Sequence, residues 1–278
     1  MPKPPANRPT VSEPRPVAPS PVVRFLAALQ FLTRVPVTLP DGQSSEFYQQ
    51  ALRGGVVFFP LVGAGVGAIT AAAALALSNG VTPLLCAVLA LAIEAMLSGG
   101  FHEDALADTF DALGGGWTRE RMLEIMTDSR VGTYGALALF FGVAIRVVSL
   151  AALLPLGWTV TLSSLVAASA LGRVAIVILM TTTPPVSGRE SLAKDVAGQQ
   201  TFGTLGVAGL LVLPVLVWWV LLMPIVAGLT VVVSLGVLAW YRRIILKRIG
   251  GTTGDLLGAS AYLVQATVLA GSTWGLSS

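Results

Sequence analysis

From Val56 onward the chain is built of apolar runs about as long as a bilayer core is thick, separated by short polar connectors. A hydrocarbon layer of roughly 30 Å needs about 20 apolar residues per crossing helix. No soluble core needs that pattern repeated. Composition agrees: of the 278 residues, 54% are hydrophobic and 11% charged, against about 25% charged in soluble domains. The expected fold is an all-α integral membrane protein. Successive runs cover 56–78, 83–97, 134–156, 158–180, 205–223, 224–241 and 256–274. The fifth and sixth are parted only at Met223-Pro224, so the count is about seven transmembrane helices, with six as the alternative.

Two segments precede the first span. Residues 1–22 are proline-rich without an apolar stretch, and read as a disordered tail, not as a signal peptide. The stretch from Arg24 to Pro36 is too short to cross and is flanked by Arg24 and Arg34. It reads as an interfacial or re-entrant helix. Residues 23–278 then form one membrane-embedded catalytic domain with its main catalytic loop at about 98–133. The single cysteine, Cys86, excludes an intrachain disulfide and argues against a cysteine metal site.

The basic residues orient the chain. Of 17 Lys and Arg, 15 fall on one side of these spans: six up to Arg53, then Arg119, Arg121 and Arg130, then Arg189 and Lys194, then Arg242, Arg243, Lys247 and Arg248. Positive loops stay in the cytoplasm, so these regions face inward and an odd number of spans sends the C-terminus out. The net charge of +3 is thus a matter of topology, with no nucleic-acid partner implied.

Seven of the 14 acids lie between Glu103 and Asp128. Asp104, Asp108 and Asp111 have the spacing i, i+4, i+7, which puts three carboxylates on one helical face. Like charges so placed repel unless a cation joins them, and hard oxygen donors point to Mg²⁺ or Mn²⁺. Glycine pairs bracket the segment, at Gly99-Gly100 and Gly114-Gly116. His102, the one histidine, stands beside the aspartates as a ligand or acid/base group. Thr118 is placed to cap a short amphipathic helix carrying Met122, Leu123, Ile125 and Met126.

Further along, Asp128-Ser129-Arg130 before Gly132 could bind a metal phosphate, with Asp on the ion and Arg on oxygens. A capped membrane-entry turn explains the same residues. Gly250–Gly258 offers Thr253 and Gly254 to phosphate and Asp255 to an ion, or simply a helix start capped by Thr253. Glu94, Arg146 and Arg173 lie within spans, where each costs about 2.5–3.5 kcal/mol if central. Such residues have a function or a partner, although Glu94 and Arg173 could also snorkel.

These motifs together resemble the cobalamin synthase family, the adenosylcobinamide-GDP ribazoletransferases. The resemblance rests on Gly99 through Gly116, Met126 through Gly135, Phe31 through Val37, Leu171-Gly-Arg173 and Thr253 through Ala259, and covers the chain from about Phe25. It implies a multi-pass enzyme of the bacterial cytoplasmic (inner) membrane, with its site facing the cytoplasm and Mg²⁺ as cofactor. The implied reaction joins adenosylcobinamide-GDP to α-ribazole or its 5′-phosphate and releases GMP. Carried onto this sequence, His102, Asp104, Asp108 and Arg130 are catalytic. Arg34, Ser129, Arg130, Arg173, Thr253 and Gly254 bind substrate. Asp104, Asp108, Asp111, Asp128 and Asp255 hold metal. Ala105 replaces the family's usual Gly, Gln265 stands where a Glu is expected, and the loop 184–200 lacks the usual form. The lipid bilayer is a partner throughout, and a homo-oligomer is compatible. From a different class, a membrane cation transporter would use the Asp cluster as an ion site. It should carry acids or broken helices near the midplane.

Overall fold

The computed structural model describes residues 18–39, 44–187 and 196–275. Most of the proline-rich tail and the middle of the loop 184–200 lie outside these residues. All regular structure among the described residues is helical, apart from one isolated bridge between Pro185 and Thr252. The chain begins with α1 (Pro21–Leu32), capped by Ser20, so the first helix starts inside the proline-rich segment. Then come α2 (Ser45–Gly55), α3 (Phe59–Leu77), α4 (Pro83–Ser98), α5 (Phe101–Gly115) and α6 (Arg119–Ile125). The rest is α7 (Thr133–Leu153), α8 (Trp158–Thr182), α9 (Phe202–Leu222), α10 (Pro224–Arg248) and α11 (Gly254–Ser272).

Among the described residues, five helical stretches are long and apolar enough to cross a membrane: Ser45–Leu77, Thr133–Leu156, Trp158–Thr182, Phe202–Leu222 and Pro224–Arg248. A sixth exists if α4 and α5, bent by 89° at their junction, are one broken span. Length and composition thus give five or six, which agrees with the alternative of six and falls below seven. The missing one is α11. It is 19 residues long, but it faces protein nearly all round and carries Asp255 and Gln265, so its composition is less apolar than that of a lipid-facing helix.

The helices sort by what they touch. Most of α8 is buried, serine after serine, while α9 and α10 expose Leu210, Leu221, Ile225, Val232 and Val233. Apolar side chains facing outward belong in lipid, and small or polar ones inside let helices approach and bond. Gly63 and Gly67 on α3 show the approach: an added Cβ would stand 2.5 Å from the carbonyl oxygens of Ser169 and Leu165 on α8. Around α8 stand α3, α9 and α11, and α11 in turn packs on α5, α7 and α10. The short helix α6 turns Met122 and Met126 into the core, both nearly fully buried. They pack against protein and not along a membrane surface.

Candidate active site

Everything predicted for the acidic segment hangs on α5, and α5 begins at a sharp break. Gly99 and Gly100 have φ of 70° and 68°, a left-handed backbone that residues with a Cβ resist. Gly99 is needed for space as well, because a Cβ there would collide with the Arg34 guanidinium. The Arg34 amide donates to Leu97 O at 2.7 Å, fixing the segment after α1 against the end of α4. A cleft of about 660 Å³ opens at this junction, lined by Thr33, Arg34, Ser98, Gly99, Glu103 and Asp104 among others. Cationic and anionic side chains thus share one cleft.

Along α5 the three aspartates keep the expected helical spacing, but their surroundings differ. Asp104 is exposed, Asp108 half-buried and Asp111 buried. Asp104, Asp255 and Asp111 all bear electrostatically on Asp108. Asp255 comes from the first turn of α11, brought there by the contact of Ala105 with Gly258, where an added Cβ would be 2.6 Å from the Ala105 methyl. Asp111 is otherwise engaged: its Oδ2 accepts from Gly132 N at 2.7 Å and its Oδ1 from Gly135 N at 2.8 Å. A side chain 21 and 24 residues away in sequence therefore caps α7, satisfying two amides that the helix itself cannot. Asp111→Ala should cost about 1–2 kcal/mol of stability and loosen the 128–132 turn, read as a lower thermal midpoint at every Mg²⁺ concentration.

The remaining predicted residues separate into three places. Asp128 and Arg130 bond each other at 2.6 Å on the surface, where Arg130 holds the Asp128 carboxyl down at about 2. Ser129 is exposed beside them. Their turn is tied to the foot of α5 through Asp111. Thr253 is buried and caps α11 by accepting from Leu256 N at 3.3 Å, with Gly254 the first helical residue. Arg173 and His102 sit deeper. The His102 ring is buried edge-on against Phe101, and Arg173 and Arg146 act on it. His102 follows Phe101 in the first turn of α5 on the side away from Asp104. Arg173 is 1% exposed and donates to Ser169 O and Gln265 Oε1. Neither Glu94 nor Arg173 snorkels. Both are locked in the interior, and Glu103 joins them. Of these, Glu94, Arg146 and Arg173 were marked by lying within spans, but nothing local marked Glu103.

Whether these residues suit a divalent ion follows from donor chemistry. Among the described residues no three acids stand close enough to share one ion. Mg²⁺ keeps several waters, however, and takes one or two carboxylates plus phosphate oxygens. Asp104 and Asp108, with Asp255 close by, meet that need.

The comparisons with known proteins follow the same residues. A family model described as cobalamin-5-phosphate synthase matches residues 24–273. A protein of Leptothrix cholodnii named adenosylcobinamide-GDP ribazoletransferase is 40% identical, covering 89% of this chain and 93% of its own length. Proteins of the same name from Klebsiella pneumoniae, 41% identical over 88% and 97%, and Azorhizobium caulinodans, 38% identical over 88% and 93%, are similar to it too. No solved structure matches. The acid helix, its glycine break and the capped turn after it all fall within the matched residues, and the chain belongs to the cobalamin-5-phosphate synthase family.

Proposed function

We propose that the chain is a membrane transferase that joins adenosylcobinamide-GDP to α-ribazole or its 5′-phosphate. The observation that carries this reading is the cleft at the α4–α5 break, where Arg34 and the acids Glu103 and Asp104 line one space. A diphosphate ester needs both signs: cations for its oxygens, and carboxylates to hold the ion that accompanies it. The name shared by the relatives supplies the substrate.

In this reaction the phosphorus–oxygen bond to the leaving GMP breaks and a bond to the acceptor hydroxyl oxygen forms, the hydroxyl losing its proton. Mg²⁺, for which Mn²⁺ is a chemical substitute, neutralises the diphosphate oxygens when bound. Asp104 and Asp108 would hold it, with Asp255 nearby. Arg34 binds phosphate oxygens at the mouth of α5, whose first turn has no side-chain cap and so presents its amides to negative charge. Arg130, 87% exposed, is the group assigned to the charge that grows on GMP, where a charge-assisted contact is worth about 1.5–3 kcal/mol. In this reading the site faces the cytoplasm of a bacterial inner membrane, the side on which basic loops are retained.

The transporter alternative gains one feature, the broken helix α4–α5. The acid it would need near the midplane is already engaged, because Glu94 accepts from Arg146, Gln265 and Thr70.

Purified protein in lipid nanodiscs, given adenosylcobinamide-GDP, α-ribazole and Mg²⁺, should release GMP in step with ribazole consumed, and chelation should stop it. Absence of GMP release, or GMP release without joined product, would overturn this reading.

A further inference from the structure

The most expensive feature of the interior lies outside the reaction just described. Glu94, Arg146 and Arg173 are 4%, 3% and 1% exposed, and each ion removed from water costs several kcal/mol unless fully compensated. Compensation here is extensive. Glu94 Oε1 accepts from Arg146 Nη2 at 2.7 Å and from Gln265 Nε2 at 2.6 Å, and its Oε2 accepts from Thr70 Oγ1 at 3.2 Å. Gln265 Nε2 also donates to Ser169 Oγ, while its Oε1 accepts from Arg173 Nη1. An amide can donate to Glu94 and accept from Arg173 at once. A glutamate at 265 would set two carboxylates against each other, so the amide suits this position.

Arg146 does something more specific. One terminal nitrogen holds Glu94 on α4, and the other donates to Glu103 Oε1 on α5 at 3.3 Å. Its guanidinium also lies 5.0 Å from the centroid of the Tyr262 ring on α11. The two glutamates flank Gly99 and Gly100, where the chain turns through 89° on left-handed backbone. Glycines make that turn possible but do not fix its angle. A planar fork bonded to both sides does.

We propose that Arg146 is a positioning residue: by bridging Glu94 and Glu103 it sets the angle of the α4–α5 break and so places Asp104 at the cleft. The functional half of this inference rests on the reading of that cleft given above. The structural half stands alone.

The test is Arg146→Lys in nanodiscs. Lysine keeps the buried charge that Glu94 needs but replaces the fork by a single ammonium. Hydrogen exchange should quicken over residues 101–115 while α3 and α8 keep wild-type protection. Turnover should fall about 10- to 100-fold, through kcat more than KM. Should Arg146→Lys fail to fold, Glu103→Ala cuts the α5 side of the bridge and leaves the Glu94–Arg146 pair whole, with the same local pattern expected. Exchange unchanged over 101–115, or raised alike in every helix, overturns the proposal. No GMP release by the wild type, with the local exchange change still seen in Arg146→Lys, sinks the transferase reading and supports the positioning role.

Discussion

Replacing Asp108 by Asn should lower turnover about 100- to 1,000-fold with no loss of fold. Asp108 stands among Asp104, Asp255 and Asp111, and like charges crowded together raise the free energy of the folded state. Removing one charge relieves that repulsion, so without Mg²⁺ the variant should melt at or above the wild-type temperature. Adding Mg²⁺ should then stabilise the wild type and leave the variant nearly unmoved, since an ion that binds the native state raises stability through its affinity alone. Asp104→Asn should behave likewise at the exposed end of the same face. Asp111→Ala should show the opposite pairing, with stability lost first and turnover following, because its carboxylate is committed to the α7 amides. Wild-type turnover by both Asn variants at limiting Mg²⁺ would refute the assignment.

The largest effect on stability should come from Glu94→Ala. The change strips Arg146 of its 2.7 Å partner and leaves the buried cation only the longer contact to Glu103, a defect worth about 3–5 kcal/mol. It also removes one acceptor from the amide of Gln265 and one from the hydroxyl of Thr70, which keep Ser169 Oγ and Val66 O. Glu94→Gln should cost much less, because an amide oxygen still accepts from Arg146. Thermal unfolding in detergent separates the two. Equal midpoints for the Ala and Gln variants would mean that the network carries little of the fold's stability.

How much of this was legible in the sequence depends on the distance between partners. The membrane class could be read because it is a matter of run length, and the caps of α6 and α11 because Thr118 and Thr253 act three residues away. The common face of Asp104, Asp108 and Asp111 was legible for the same reason. Periodicity does not say which of the three meets a remote backbone, and Asp111 does so across 21 and 24 residues. Gly99-Gly100 was visible as a boundary, but the break reads as the end of a span and the start of a loop. Only packing shows that helix resumes at once. Run length alone counts α11 as a span, although this helix meets mostly protein and is less apolar than its lipid-facing neighbours. Gln265 looked like a departure from the family pattern until its amide was seen between Glu94 and Arg173.

The network in the interior also sets a condition on how the protein is made. Glu94 precedes Arg146 by 52 residues and Gln265 by 171. At about 5–20 residues per second of synthesis, its carboxylate exists for roughly 3–10 s before the arginine is made, and about 9–34 s before the amide. In that interval an unpaired acid in lipid costs about 2.5–3.5 kcal/mol. The early hairpin of α3 and α4 therefore has reason to linger at the insertion machinery until α7 arrives. The arrival of α11, which carries Gln265, then closes the network, and biogenesis is a group event.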